Sequence, residues 1–230
     1  MLENADFLAF LLSLKVALLA ALLGLPLAIF LAWILAFKNF RGKTVLDLII
    51  HAPLVLPPVV IGYLLLIAFS PSGFFGGFLK NSLGIEIAFT WVGAAIASLL
   101  MALPLMVRAI RLSFEAVDQK LMKAARTLGA SPRKAFLDIM LPLAAPGIIT
   151  GGLLGFARAL GEFGATITFV SNIPGVTQTL PLALYSATQQ PDGEIRALWL
   201  LVLSLVIAFA ALGASEVLAR RLKKKIGGEI

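Results

Sequence analysis

Apolar residues along this chain fall into runs too long for a soluble core, separated by short polar stretches. Residues 7–37 are apolar apart from Ser13 and Lys15; 46–69 carry only Asp47 and His51 near their start. Residues 88–107, 136–160 and 197–219 complete the set. A helix needs about 20 predominantly apolar residues to cross the hydrocarbon core, so the pattern predicts five spans and an all-α integral membrane protein. Residues 161–188 are mildly apolar but broken by Gly164, Pro174, Gly175 and Pro181. They are expected to form the end of the fourth span and an external loop or re-entrant element, not a sixth span. The whole chain, 1–230, reads as one transmembrane domain. The one strongly polar, helix-forming stretch between spans, residues 113–135, stands out as a loop built to touch something outside the bilayer.

Composition agrees with this class. The chain is 60% hydrophobic and 13% charged, with a mean hydropathy of +1.00, against about 25% charge in a typical soluble domain. The absence of cysteine excludes disulfides and thiolate metal sites, and one histidine, His51, leaves no His-based site.

The net charge of +7 could suggest nucleic acid, but its placement explains it otherwise. Lys38, Arg41 and Lys43 follow the first span; Arg108, Arg111, Lys120, Lys123, Arg126, Arg133 and Lys134 follow the third; Arg220, Arg221, Lys223, Lys224 and Lys225 follow the fifth. The alternate loops carry little beyond Lys80 and Arg196. Basic loops face the cytoplasm, so the amino terminus is predicted outside and the carboxyl terminus inside. The acidic start, Met1 to Asp6, lacks the positive region of a signal peptide, so the first span is expected to be retained.

Within the spans, Pro26, Pro53, Pro57, Pro58, Pro104, Pro142 and Pro146 each remove a backbone donor. The run from His51 to Gly62 reads either as a kinked packing helix or as a bend that lines a path. Gly147, Gly151 and Gly155, four apart, form a smooth stripe for close helix approach, to another span or to a second copy. Arg158 and Glu162 are an i, i+4 pair at the outer end of span four; they read either as a structural ion pair or as part of a substrate path. Lys15 can snorkel toward the outer surface. His51 reads as a hydrogen-bonding residue near a helix end or as a proton relay.

No energy source is visible in the chain. Gly42-Lys43-Thr44 ends like a P-loop, but Phe37 stands where the first glycine is required, and no strand precedes it. There are no paired midplane carboxylates of the sort an ion-coupled carrier uses. No Ser-His-Asp set is credible with a single histidine, so no catalytic residues are assigned.

The loop then becomes specific. Ala124-Ala125, Gly129 four residues after Ala125, and Ile139-Met140-Leu141-Pro142 ten residues after Gly129 resemble the "EAA" loop of ABC importer permeases. Lys123 stands where that family has glutamate. Ala124 and Ala125 favour a slim helix, Gly129 permits a positive φ at its end, and Ser131-Pro132 can start the next helix. The likeness extends over nearly the whole chain, through residues 53–63, 104–111 and 161–175, and is strongest to permeases for molybdate, with those for tungstate and sulfate near relatives.

That resemblance implies a homodimer of this chain bound to two ABC ATPase subunits and served by an extracytoplasmic oxyanion-binding protein. ATP and Mg would be bound by the partner ATPase, and this chain would hold no cofactor and no metal. The coupling set implied is Lys123, Ala124, Ala125, Gly129, Ile139, Leu141 and Pro142. Candidate pore or gate residues are Arg158, Glu162, Thr166, Thr168, Ser171 and Asn172. The competing classes are an ion-gradient carrier and a membrane scaffold whose basic loop binds anionic lipid.

Overall fold

The structure is a computed structural model that describes the backbone of residues 4–226 and the side chains of most residues up to 217. Every regular element among the described residues is helical. The first is α1 (Asn4–Phe37), 34 residues and unbroken despite Pro26. Its buried face is a stripe of small residues, Ala9, Ser13, Ala17, Ala20, Gly24, Ala28 and Ala32, three or four apart. A stripe of that kind lets another backbone come close where no hydrophobic effect drives association.

The predicted span at 46–69 is two helices, α2 (Lys43–Val55) and α3 (Pro58–Phe69), bent by 115° about residues 56–57. The reason is local. Leu56 precedes a proline and sits in the extended region (φ −70°, ψ 140°), as the clash with the proline ring demands, and Pro57 and Pro58 cannot donate to a continuing ladder. A short helix α4 (Phe74–Leu83) follows and ends at Gly84, whose φ is +66°. Then comes α5 (Trp91–Ala116), capped where Thr90 Oγ1 accepts from Gly93 N at 3.2 Å. It runs nine residues beyond 107, so the stretch expected to be loop from 113 begins as helix.

Beyond it lie α6 (Gln119–Thr127), α7 (Pro132–Ala135), a π-helical turn (Phe136–Met140), α8 (Leu141–Leu143) and α9 (Ala145–Leu160). The predicted fourth span is therefore not straight: Pro132–Leu143 and Ala145–Leu160 are bent by 68°, where Pro142 and Pro146 interrupt the backbone ladder. α10 (Gly164–Val170) and α11 (Leu180–Thr188) have 7 and 9 residues, too few to cross a bilayer. The last helix is α12 (Glu194–Ile226). Three helices, α1, α5 and the described part of α12, are each long and apolar enough to span, and there are five spans if each bent pair counts as one. The side chains of the tail cations Arg220 to Lys225 lie outside the described residues.

α5 is the axis of the bundle. Its Met106, Val107, Ile110 and Phe114 are fully buried and pack with the small face of α1 and with α9. The glycine stripe of α9 lies on this helix of the same chain. A Cβ at Gly151 would sit 2.9 Å from Ile110 and 3.2 Å from the Met106 carbonyl, while Cβ atoms at Gly147 and Gly155 would collide with Ser113 and Met106. Gly151→Leu is therefore expected to cost at least about 1–3 kcal/mol, the usual penalty of overpacking. Thermal unfolding of the detergent-purified protein should register the loss, and an unchanged midpoint would refute this packing.

Candidate functional site

The polar stretch folds as a capped helical hairpin. Asp118 Oδ1 accepts from Lys120 N at 2.9 Å and starts α6. At its other end Gly129 has φ +88°; its N–H donates to Arg126 O at 3.1 Å, and that of Ala130 to Ala125 O at 3.0 Å. These are the paired bonds of a Schellman cap. Ser131 then caps α7, accepting from Lys134 N at 3.3 Å, with Pro132 in its first turn.

The hairpin is well built internally yet makes little use of the rest of the protein. No residue of α6 is buried, and Leu128 at the tip is 89% exposed. Lys123 and Ala124 are exposed, and Ala125 is half-buried. A Cβ at Gly129 would meet nothing within 4 Å. Ile139, Leu141 and Pro142 stand apart from this tip, in the π turn and α8 that carry the chain to the bend. There Ser113 Oγ of α5 donates to Ala144 O at 3.2 Å. Phe114 contacts both Phe37 and Phe136, with ring centroids 5.9 Å apart in each pair.

At the far end of α9 the predicted ion pair forms. Arg158 Nη1 lies 2.6 Å from Glu162 Oε2, the arginine side chain 28% exposed and the glutamate 1%. Glu162 also acts on the backbone. Its Oε1 accepts from Ala165 N at 2.8 Å and so caps α10. One carboxylate thus holds the turn between two helices. Thr166 and Thr168 follow on α10 and direct their donors to their own helix, to Phe163 O and Gly164 O, each at 2.9 Å; Thr166 is fully buried and Thr168 half-buried. α10 lies against α3, where a Cβ at Gly62 would meet Thr168 Cβ at 2.9 Å and one at Gly164 would meet Pro58 at 2.7 Å. The proline-rich bend and the segment after Gly161 are therefore one assembly.

Ser171 and Asn172 leave this line. Ser171 is exposed with φ +65°, ψ −162°, a conformation normally reserved for glycine. It is held by Thr177, whose Oγ1 donates to Ser171 O at 3.3 Å and accepts from Ile173 N at 3.0 Å. Asn172 turns toward α11, donating to Ser186 Oγ at 2.7 Å and accepting from Gln178 Nε2 at 2.9 Å.

Two ionic arrangements were not legible from the pattern. Arg196 donates to Asp6 Oδ1 through Nε at 3.0 Å and Nη2 at 2.7 Å, joining the starts of α12 and α1 across 190 positions. Arg111 bridges Asp47 at 3.2 Å and Glu115 at 2.8 Å, joining α2 to α5. His51 joins the second group, its Nδ1 2.9 Å from Asp47 O and 3.1 Å from Asp47 Oδ1, which is the hydrogen-bonding reading of that residue. Lys15 is stacked over Trp91 at 3.5 Å from the ring centroid, so its charge meets an aromatic face.

Comparison with known proteins gives a family, close relatives and structural neighbours. The family described as binding-protein-dependent transport system inner membrane component matches residues 24–224. The molybdenum transport system permease protein ModB of Escherichia coli (strain K12) is 54% identical over 226 residues, 98% of this chain and 99% of that protein. The ModB of Haemophilus influenzae (strain Rd) is 54% identical over 216 residues, 94% of each. Among solved structures, a bacterial alginate ABC transporter in complex with an alginate pentasaccharide-bound periplasmic protein aligns with TM-score 0.77 at 18% identity, over 96% of this chain and 81% of that one. At that identity the likeness is one of fold.

Proposed function

The chain belongs to the family of binding-protein-dependent transport system inner membrane components, and on that premise we propose that it forms the membrane pathway of an ATP-driven molybdate importer. The substrate follows from the 54% identity to two molybdenum permeases over nearly the whole chain. The observation that carries the mechanism is the hairpin: doubly capped, with no buried residue in α6 and a tip leucine 89% exposed. Such a surface on a chain without a P-loop suits a motor supplied by another chain. We place it in the cytoplasm, as the lysine and arginine distribution requires, with the amino terminus outside.

In this reading two copies of the chain form the pore, and each hairpin docks on one ABC ATPase subunit. Alanines 124 and 125 give the hairpin a slim face, and Gly129 with Leu128 forms its tip. Movement of the hairpin reaches the bundle through the π turn and α8, and α9 carries it as a rod because its glycines lie directly on α5. α9 ends at Arg158 and Glu162, where α10 meets the Pro57–Pro58 bend. This is where we place the gate. The part of the Arg158 guanidinium not engaged by Glu162 offers donors to a passing oxyanion, and exposed Ser171 is a second contact. Weak contacts suffice, because selection belongs to an external oxyanion-binding protein. When the ATPases bind ATP and close, the hairpins converge and the pore opens outward; hydrolysis, with Mg and ATP held by the partner, resets it.

Reconstitution tests this directly. Vesicles holding the chain, its ATPase and the loaded binding protein should accumulate molybdate only with ATP, and the ATPase should copurify in equal stoichiometry. Uptake by the chain alone under an ion gradient would instead establish a secondary carrier. Competition by tungstate and sulfate in the same vesicles ranks the related oxyanions.

A further inference from the structure

Between the end of α1 and the hairpin lies a cleft of about 690 Å³ whose apolar interior the transport reading does not use, although its rim shares Lys123 with the coupling set. Its floor is apolar: Trp33, Phe37, Phe136 and Met140. Trp33 and Phe37 belong to the last turns of a helix long enough to span the bilayer, and in the orientation proposed above those turns are its cytoplasmic end. The rim carries Lys123, Arg126 and Arg133 and no carboxylate. A fourth cation stands beside it, since Lys38 Nζ lies 4.8 Å from the Trp33 ring centroid.

We propose that this cleft binds an anionic phospholipid of the cytoplasmic leaflet, its phosphate held by Lys123, Arg126 and Arg133 and its proximal acyl chain lying on Trp33, Phe37 and Phe136. The inference rests on the orientation proposed above. Two features of the cleft select this ligand. A free phosphate or a nucleotide would satisfy the rim and leave the aromatic floor wet; a neutral lipid would cover the floor and leave the three rim cations without a counter-ion. Basic clefts beside membrane helices on the cytoplasmic side suit anionic headgroups. The site also gives position 123 a reason. A glutamate there would put a carboxylate on the rim with Arg126 and Arg133, whereas Lys123 makes the rim uniformly cationic.

The test uses the full permease–ATPase complex in lipid nanodiscs. The chain has three tryptophans, so Trp91→Phe with Trp199→Phe leaves Trp33 as its reporter, read as the difference from a Trp33→Phe complex to remove the ATPase background. Two bilayers of identical phosphatidylglycerol and phosphatidylcholine content are compared, with brominated acyl chains on one lipid or the other, at equal bromine content. Bromine on phosphatidylglycerol should quench Trp33 at least about threefold more strongly, as a cluster of cations at an anionic leaflet predicts. Lys123→Glu combined with Arg126→Gln and Arg133→Gln should abolish the difference, and Lys120→Gln, outside the cleft, should keep it. Equal quenching by the two lipids, persistence of the difference in the triple variant, or its removal by millimolar inorganic phosphate would each overturn the proposal. So would a difference seen only without the ATPase, which would mean that the partner fills the cleft. Helix content and gel filtration confirm folding of each variant. The readout needs neither uptake nor hydrolysis: a complex that transports molybdate but quenches equally fails this proposal alone, and one that quenches unequally but does not transport fails the transport reading alone.

Discussion

Glu162→Ala is expected to destabilise the protein by about 1–3 kcal/mol, the loss that follows when a buried group's hydrogen-bond partner is removed, since Arg158 is 28% exposed and regains part of its hydration. The carboxylate is 1% exposed and bonded to both Arg158 and the Ala165 amide. Alanine leaves the guanidinium without its counter-charge and α10 without its cap, and a missing cap adds about 1 kcal/mol. Thermal or detergent-induced unfolding of the purified complex measures the change; a shift near zero would remove the pair from any structural account. The double variant Arg158→Gln, Glu162→Gln separates two roles that the geometry combines. It removes both charges and retains an oxygen to accept from Ala165. If the pair only holds the turn, stability recovers most of the loss and molybdate uptake per folded complex stays near wild type. If Arg158 also meets the oxyanion, stability recovers and uptake does not.

How far the sequence reveals this molecule depends on the range of the interaction concerned. Long apolar runs locate the spanning helices because hydropathy acts along the chain, and α1, α5 and α12 fall where the pattern puts them. The two bent helix pairs are harder, since Pro57–Pro58 and Pro142–Pro146 mark where a ladder fails without giving the angle, which neighbouring helices set. The end of α5 is hidden for the opposite reason: residues 108–116 are charged enough to read as loop, yet Arg111 keeps its charge on the helix surface between Asp47 and Glu115.

The candidate site divides in the same way. The cap at Gly129, the start of α7 at Ser131-Pro132 and the Arg158–Glu162 pair involve residues within five positions of one another, and local rules reach them. The capping role of Glu162 is equally local, three residues before the amide it accepts from, but the i, i+4 spacing to Arg158 points to charge instead. Asp6 with Arg196 and Asp47 with Arg111 span 190 and 64 positions, and no periodicity connects them. The small-residue stripe of α1 was visible in principle at three- and four-residue spacing. The leucines around it obscured it, and its importance comes from the helix it packs on.

Gly129→Asp is expected to reduce molybdate uptake at least tenfold while the ATPase continues to hydrolyse ATP, and the protein should still insert. The structure separates the causes. A Cβ at Gly129 would meet nothing within 4 Å, and the internal penalty is the positive φ of +88°, worth about 1–2 kcal/mol for an ordinary L-residue. That penalty is confined to the cap of a nine-residue helix with no buried side chain, so the bundle does not depend on it. On the docking proposed for the tip, a large transport defect arises outside the chain, because a carboxylate beside Leu128 would have to be desolvated against the motor. Gly129→Asn is the control. Asparagine tolerates the left-handed conformation and carries no charge, so it should cost less uptake than aspartate at nearly equal volume. Equal loss in both variants would assign the defect to the cap or to side-chain bulk. Uptake near wild type in Gly129→Asp would mean that the tip is not the docking surface, whatever motor drives the pore.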